Sequence, residues 1–332
     1  MERVLASIRE VSDIVPIEGA DFIEEAIVGG WHVIVKKGEF TPGSQGVFFE
    51  IDSVLDPELP WVKEHASFME ARSWRIRTMK MRGVLSQGLL LPMDILPEVP
   101  ESTDCTELLG VKKYEIPETV GDLTSRSAGP FPSYIVSKTD EIRVQSVMEV
   151  LDELWGKPYY ITEKADGSSA TYLMIDGKFT ACSRNLMLRE ESDFYRVGVE
   201  QNIKGFLEEN PHLVVQGEFI GPGVQGNKYK LKAHSLKVFN IFDTGPREYL
   251  HYNSIVDFSQ HYGFDIVRLM ASGKSFGFSL EELLVMAKGK YPGTNNDMEG
   301  IVVRSLENIY SPTLRGRLSF KVLNNNALLK EK

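Results

Sequence analysis

The feature that most constrains this chain is a set of charged residues embedded, one after another, in short apolar strand patterns between residues 159 and 323. The first is Glu163-Lys164-Ala165-Asp166-Gly167-Ser168-Ser169, directly after the strand pattern Tyr159-Tyr160-Ile161-Thr162. A strand end and a turn glycine fix such a lysine, and the aspartate two residues on can hold a metal or its waters. At its ordinary pKa, ~3 units above neutrality, under ~0.1% of a lysine is the attacking amine, so burial or a nearby cation has to lower it. A second lysine or a divalent ion would do so. Taken alone, the pattern more often marks a solvated hairpin turn.

The elements downstream reverse that reading. Phe179-Thr180-Ala181-Cys182-Ser183-Arg184-Asn185 sets an arginine at a strand end. Val214-Val215-Gln216-Gly217-Glu218-Phe219-Ile220-Gly221 puts a carboxylate inside an apolar strand, where an uncompensated charge is costly. Lys237-Val238-Phe239-Asn240-Ile241-Phe242-Asp243 carries two aromatics three apart, suited to stacking a base. Met298-Glu299-Gly300-Ile301-Val302-Val303-Arg304 embeds a carboxylate at a strand start, and Ser319-Phe320-Lys321-Val322-Leu323-Asn324 ends the series with a lysine. One such element means little; the ordered series points to a single built site.

Around these motifs the pattern alternates strands (159–162, 170–175, 213–216, 236–242, 300–304) with amphipathic helices over 192–209 and 279–288. Ser279 with Glu282 three residues on opens the second helix as a capping box. This predicts an α+β domain built on antiparallel sheets. Before about residue 115 the chain reads as short strands with Gly/Pro turns: 26–28 and 31–35 about Gly29-Gly30, 47–51 after Thr41-Pro42-Gly43, 75–82, and 88–91. That spacing predicts a small Greek-key barrel of the OB kind. Residues 117–133 hold three prolines and few apolar side chains, as a linker would. The expected organisation is therefore a barrel over 1–116, a linker over 117–133 and a second domain over 134–332, in keeping with the two domains that 332 residues suggest.

Composition narrows the classes further. At 42% apolar and 25% charged the chain has material for a core, which excludes disorder and coiled coil. No apolar run approaches the ~20 residues of a spanning helix, so no membrane partner is expected. Two cysteines, Cys105 and Cys182, fit a reducing setting, and a cytoplasmic or nuclear address is expected. The net charge of −10 looks hostile to nucleic acid, yet residues 1–125 hold 12 Lys+Arg against 22 Asp+Glu while residues 126–332 hold 25 against 25. The acidic excess belongs to the N-terminal part alone. Two basic stretches could meet RNA: Arg72, Arg75, Arg77, Lys80 and Arg82, and Lys228, Lys230, Lys232 and Lys237 behind a Gly221-Pro222-Gly223-Val224-Gln225-Gly226 loop. That loop satisfies G-x-G-x-x-G but lacks the βαβ context of a dinucleotide site.

The six-part series resembles the signature of the covalent nucleotidyltransferase superfamily of polynucleotide ligases and RNA capping enzymes. Within it the likeness is to ATP-dependent RNA ligases typified by those of Deinococcus and Naegleria, which carry an N-terminal OB domain. Only eleven residues follow Lys321, too few for the C-terminal OB domain of cellular DNA ligases. The resemblance implies an antiparallel-sheet nucleotidyltransferase domain, ATP-grasp-like, that uses ATP with Mg2+ or Mn2+ to seal 5′-phosphate and 3′-hydroxyl RNA ends. It implies that Lys164 becomes lysyl-AMP and that Asp166 and Glu299 organise the cation through water. It further implies that Glu218 takes the ribose hydroxyls, Arg184 the ribose or phosphate, and Phe239 the adenine face. Lys321 would contact the α-phosphate and help lower the pKa of Lys164, with Arg143 on the outgoing phosphates and Glu163 also at the nucleotide. A monomer acting in RNA repair on free ends, nicked RNA or RNA/DNA duplexes is the expected setting. Leu323 and Ser169 stand where many DNA ligases carry a lysine and an arginine, which weakens a DNA-ligase reading. The alternatives are a DNA ligase or RNA guanylyltransferase, or a nucleic-acid-binding protein with an inactive nucleotidyltransferase domain.

Overall fold

The structure, a computed structural model, describes residues 3–98, 100–114 and 126–330. The chain divides into two compact units, the first drawn from Met1–Ile116, Val144–Met148 and Leu328–Lys332, the second from Pro117–Arg143 and Glu149–Ala327. Among the described residues no helix is long and apolar enough to cross a membrane.

The first unit is built from the short strands its turns predict. Ile23–Val28 and Trp31–Lys36 pair so that Val28 faces Trp31, leaving Gly29-Gly30 as a two-residue turn with Gly29 at φ 57°. Along the second strand Trp31, Val33 and Val35 are buried and alternate with residues turned outward. Asp13–Pro16 adds to that sheet, while Ala6–Glu10, Gln45–Phe49 and Leu89–Leu91 form another. Phe48 and Phe49, adjacent on one strand, enter two different apolar clusters, so the two faces of that strand are both covered.

The strand expected over 75–82 is shorter than its sequence suggests. Ser67–Arg72 is a 3-10 helix and only Met79–Met81 is strand, paired with Val84–Ser86. Arg82 and Gly83 both take positive φ, 47° and 85°, and make the turn between them. Arg75 is buried, 2.6 Å from Asp52 Oδ1 and 3.7 Å from the centre of the Tyr114 ring, so it belongs to the interior and not to a surface track.

The second unit holds two sheets. A seven-stranded antiparallel sheet runs in the order Ser127–Pro130, Leu186–Leu188, Lys178–Cys182, Ser168–Ile175, Leu213–Ile220, Ser235–Asp243, Glu248–Tyr249. A five-stranded sheet runs Ile142–Arg143, Ser319–Leu323, Gly300–Ser305, Tyr159–Lys164, Leu269–Gly273, antiparallel except for its first pair. The chain leaves the second sheet at Lys164 and joins the first at Ser168, so Ala165-Asp166-Gly167 is the crossover between them. Of the expected linker over 117–133, residues 117–125 lie outside the described residues; Ser127–Pro130 pairs with Leu186–Leu188 as an edge strand instead of running free. The expected helix over 192–209 is two helices, Asp193–Glu200 and Ile203–Glu209, because Asn202 between them sits at φ 58°. The helix Leu280–Ala287 opens on the Ser279–Glu282 capping box as its sequence predicts.

Candidate active site

Two glycines explain how the motif strands come so close. A Cβ on Gly167 would stand 2.3 Å from the carbonyl oxygen of Phe219, and one on Gly300 would stand 2.1 Å from that of Val322. No side chain fits at either place. The crossover can therefore lie against the strand that carries Glu218, and the strand that follows Glu299 can lie against the one that carries Lys321.

Register does the rest. Lys164, Gly300 and Leu323 form one cross-strand row, and Thr162, Val302, Lys321 and Arg143 form the row two residues behind it. Residues two apart on a strand share a face, so both rows look the same way. Leu323, two residues after Lys321 and on the same face of the sheet, is buried.

A cleft with about 400 Å³ of free space, open solvent at its mouth included, lies over these rows, lined among others by Lys164, Glu218, Phe239, Glu141, Thr162 and Arg304. Lys164 Nζ is 2.7 Å from Glu299 Oε1, with about a quarter of each side chain exposed. Burial by itself would lower the pKa of Lys164, but Glu299, Glu218 and Asp166 together overrule it and hold the ammonium above its usual range. Three carboxylates thus dominate the surroundings of Lys164.

Asp166 forms an ion pair with Lys228. Burial and then Glu299 raise its pKa, against the opposing pull of Lys228 and Lys164. Glu218 sits opposite Ser169 in the sheet and is pushed up to about 8, first by burial and further by Glu299 and Asp166, despite Lys164. Three mutually repelling carboxylates share this space, and burial with that repulsion keeps one of them, Glu218, protonated at neutral pH. Among the described residues no three acidic, histidine or cysteine side chains converge closely enough to ligate one ion together. This donor set fits a hydrated divalent cation held through its waters, the mode expected for Asp166 and Glu299.

The other expected residues are placed as follows. Phe239 forms a wall of the cleft, with the Arg304 guanidinium 6.0 Å from its ring centre. Arg143 is buried and register-paired with Lys321, so the structure brings those two cations together and removes Arg143 from the surface. Arg184 stands at the end of its strand, two-thirds buried, with Nη2 2.5 Å from Asp140 Oδ2. Glu163 lines the cleft, but its carboxylate accepts from Tyr229 Oη at 2.7 Å and from Arg268 Nε at 3.0 Å. It anchors the segments that carry Tyr229 and Arg268.

Sequence reading missed several residues that build the site. Tyr291 Oη donates to the Lys164 carbonyl at 3.0 Å and accepts from the Glu299 N–H at 3.0 Å, tying the crossover to the opposite strand with one atom. Arg304, on the strand Gly300–Ser305 that follows Glu299, is 2% exposed and donates to Glu141 Oε1 at 3.1 Å. Its signal was present, since an arginine closing an apolar strand is as costly as the glutamates that were noticed. Tyr291, in a loop, gave none.

Residues 157–323 match a family model described as RNA ligase, and residues 5–93 match one described as an OB-fold domain. Among solved structures, a Naegleria gruberi RNA ligase mutant with AMP and Mn is 33% identical, covers 99% of each chain and superposes with a TM-score of 0.88. The Naegleria gruberi RNA ligase with pyrophosphate is 34% identical over 99% of both chains, also at 0.88. A mutant of the same ligase with ATP and Mn is 34% identical, covering 98% of this chain and 99% of that one, again at 0.88. A search of curated proteins finds no match.

Proposed function

The chain belongs to the RNA ligase family, with an N-terminal OB-fold domain ahead of a sheet-rich ligase domain, and on that premise we propose that it is an ATP-dependent ligase joining RNA 5′-phosphate and 3′-hydroxyl ends through lysyl-AMP and adenylylated RNA. The observation that carries this reading is Lys164 on Glu299 at 2.7 Å, at the crossover of two sheets, in a cleft that offers Phe239 as a base-stacking wall. Solved structures of the Naegleria gruberi ligase hold ATP and Mn, and the carboxylates of this site suit the cation.

Lys164 Nζ attacks the α-phosphorus, a P–N bond forms, and the bond to pyrophosphate breaks. Glu299 Oε1 is within reach to take the proton that Nζ releases. A bound divalent cation would offset phosphate charge and draw on the carboxylates that otherwise keep Lys164 protonated. Glu218 takes the ribose hydroxyls, Phe239 stacks on adenine, and the Arg143–Lys321 pair supplies fixed positive charge for the phosphates. An oxygen of the RNA 5′-phosphate then displaces Lys164 from AMP, and a 3′-hydroxyl displaces AMP from the adenylylated end. Catalysis belongs to residues 134–332 and RNA engagement in part to 1–116. A monomer acting on free ends or nicked RNA and RNA/DNA duplexes, inside the cell and in repair, completes the reading.

Sealing assays test it. With ATP and magnesium, a nicked duplex with RNA flanking the break and a 5′-phosphate is expected to be sealed, while a 5′-hydroxyl nick is not. Equal sealing of all-DNA nicks, or dependence on GTP in place of ATP, contradicts it.

A further inference from the structure

Three cations at or beside this site are matched to carboxylates: Lys164 to Glu299, Arg184 to Asp140, and Lys228 to Asp166. The third pair stands apart because neither the motif series nor the proposed chemistry assigns a role to Lys228. Its loop is bolted to the site. Asn296 Nδ2 donates to the Lys228 carbonyl at 2.7 Å, and the adjacent Tyr229 donates to Glu163 and packs its ring 4.1 Å from that of Tyr291. Tyr291 in turn holds both Lys164 and Glu299. The backbone of Lys228 is thus fixed from two sides, while its side chain remains one-third exposed beside Asp166. Lys228 pairs directly with Asp166, and Lys164 stands close enough to act on the same carboxylate.

Resting on the proposed function, we propose that Lys228 is a phosphate-binding residue of this site that is held on Asp166 until nucleotide arrives, so that the divalent cation and the nucleotide phosphates bind together and not separately. The chemistry is an exchange of partners. A cation approaching Asp166 alone meets an ammonium already there, and a phosphate approaching Lys228 alone meets a carboxylate already there. When both arrive, Asp166 turns to the cation's waters and Lys228 to a phosphate oxygen, and no buried charge is left unmatched. Such an arrangement makes each ligand raise the other's affinity by the same factor.

Mn2+ binding, read from the electron paramagnetic resonance signal of the free ion, tests this without any turnover. In the absence of nucleotide, Lys228→Met is expected to bind Mn2+ at least tenfold more tightly than wild type, and Lys228→Arg to behave as wild type. With α,β-methylene-ATP present, wild type is expected to gain at least tenfold in Mn2+ affinity and Lys228→Met to gain markedly less. Equal Mn2+ affinity of wild type and Lys228→Met without nucleotide, or the same gain in both with the analogue, overturns the proposal. If thermal unfolding shows that methionine disturbs the fold, Lys228→Gln is read in its place by the same criteria. Unchanged Mn2+ binding with intact sealing would remove the role of Lys228 alone, whereas absent sealing with the Mn2+ result as expected would remove the ligase reading alone.

Discussion

Lys164 is surrounded by more negative charge than its own ammonium balances, and that imbalance is the working property of the site. Glu299, Glu218 and Asp166 hold the proton on Lys164, while their mutual repulsion pushes Glu218 up to about 8. The sign of the consequence follows from linkage. A carboxyl whose folded pKa is raised contributes stability that is present in full below its unfolded value and is lost as pH rises through the folded value. Glu218 is therefore expected to make the protein progressively less stable between about pH 4.5 and its folded value of about 8. Glu218→Gln, which cannot ionise, should flatten that slope. Urea unfolding of both proteins across this range checks it, and parallel curves would show that Glu218 is an ordinary surface-like carboxylate. At this scale the motif residues were legible because a charge inside an apolar strand is conspicuous. Tyr291 and Lys228 were not, since Lys164 lies far in sequence from Tyr291 and Asp166 far from Lys228, and neither residue breaks a local pattern.

Strands and the short segments beside them position the site, and glycine is what lets the strands approach. The carbonyl of Val322 leaves no room for a Cβ on Gly300, so Gly300→Ala has to push the Lys321 strand away from the Glu299 strand. Overpacking of this kind costs typically about 1–3 kcal/mol, and here the obstacle is backbone, which puts the expected loss at the upper end or beyond. Adenylylation should fall with it, because the same shift carries Lys321 away from Lys164 across the sheet. Denaturant unfolding together with labelling by α-labelled ATP measures both, and a variant with wild-type stability and labelling would contradict the geometry. Most strands and the Ser279 cap were legible from alternation and turn residues. The break at Asn202 within one amphipathic run was not, because a left-handed asparagine leaves the apolar spacing on both sides intact. The stretch over 75–82 misled for a different reason. Its arginine at 75 is paid for by Asp52 and Tyr114, partners that sequence alone does not supply.

For the whole molecule, the net charge of −10 divides unevenly, with the acidic excess confined to residues 1–125. RNA must then be held by local basic groups and not by overall charge. Several of the expected contacts are already engaged within the protein: Arg75 with Asp52, Lys228 with Asp166 and Lys237 with Asp265 at 3.1 Å. Arg77, Lys80 and Arg82 remain exposed. Changing these three to glutamate is expected to weaken RNA binding and to lower the slope of log affinity against log salt by roughly one per lost phosphate contact. Unchanged affinity and slope would take that stretch out of the RNA path. The two-domain plan and the ligase domain's antiparallel sheets were legible from spacing alone. The pairing of Ser127–Pro130 was not, since proline and glycine in a short segment read as a linker unless an edge strand is there to receive them. The central claim, that Lys164 is the residue that receives AMP, is tested most directly by incubating the protein with ATP and magnesium and mapping the adenylated peptide by mass spectrometry. A single AMP on Lys164, absent from Lys164→Ala, is the expected result. No adduct, or an adduct that maps elsewhere or survives Lys164→Ala, would contradict it.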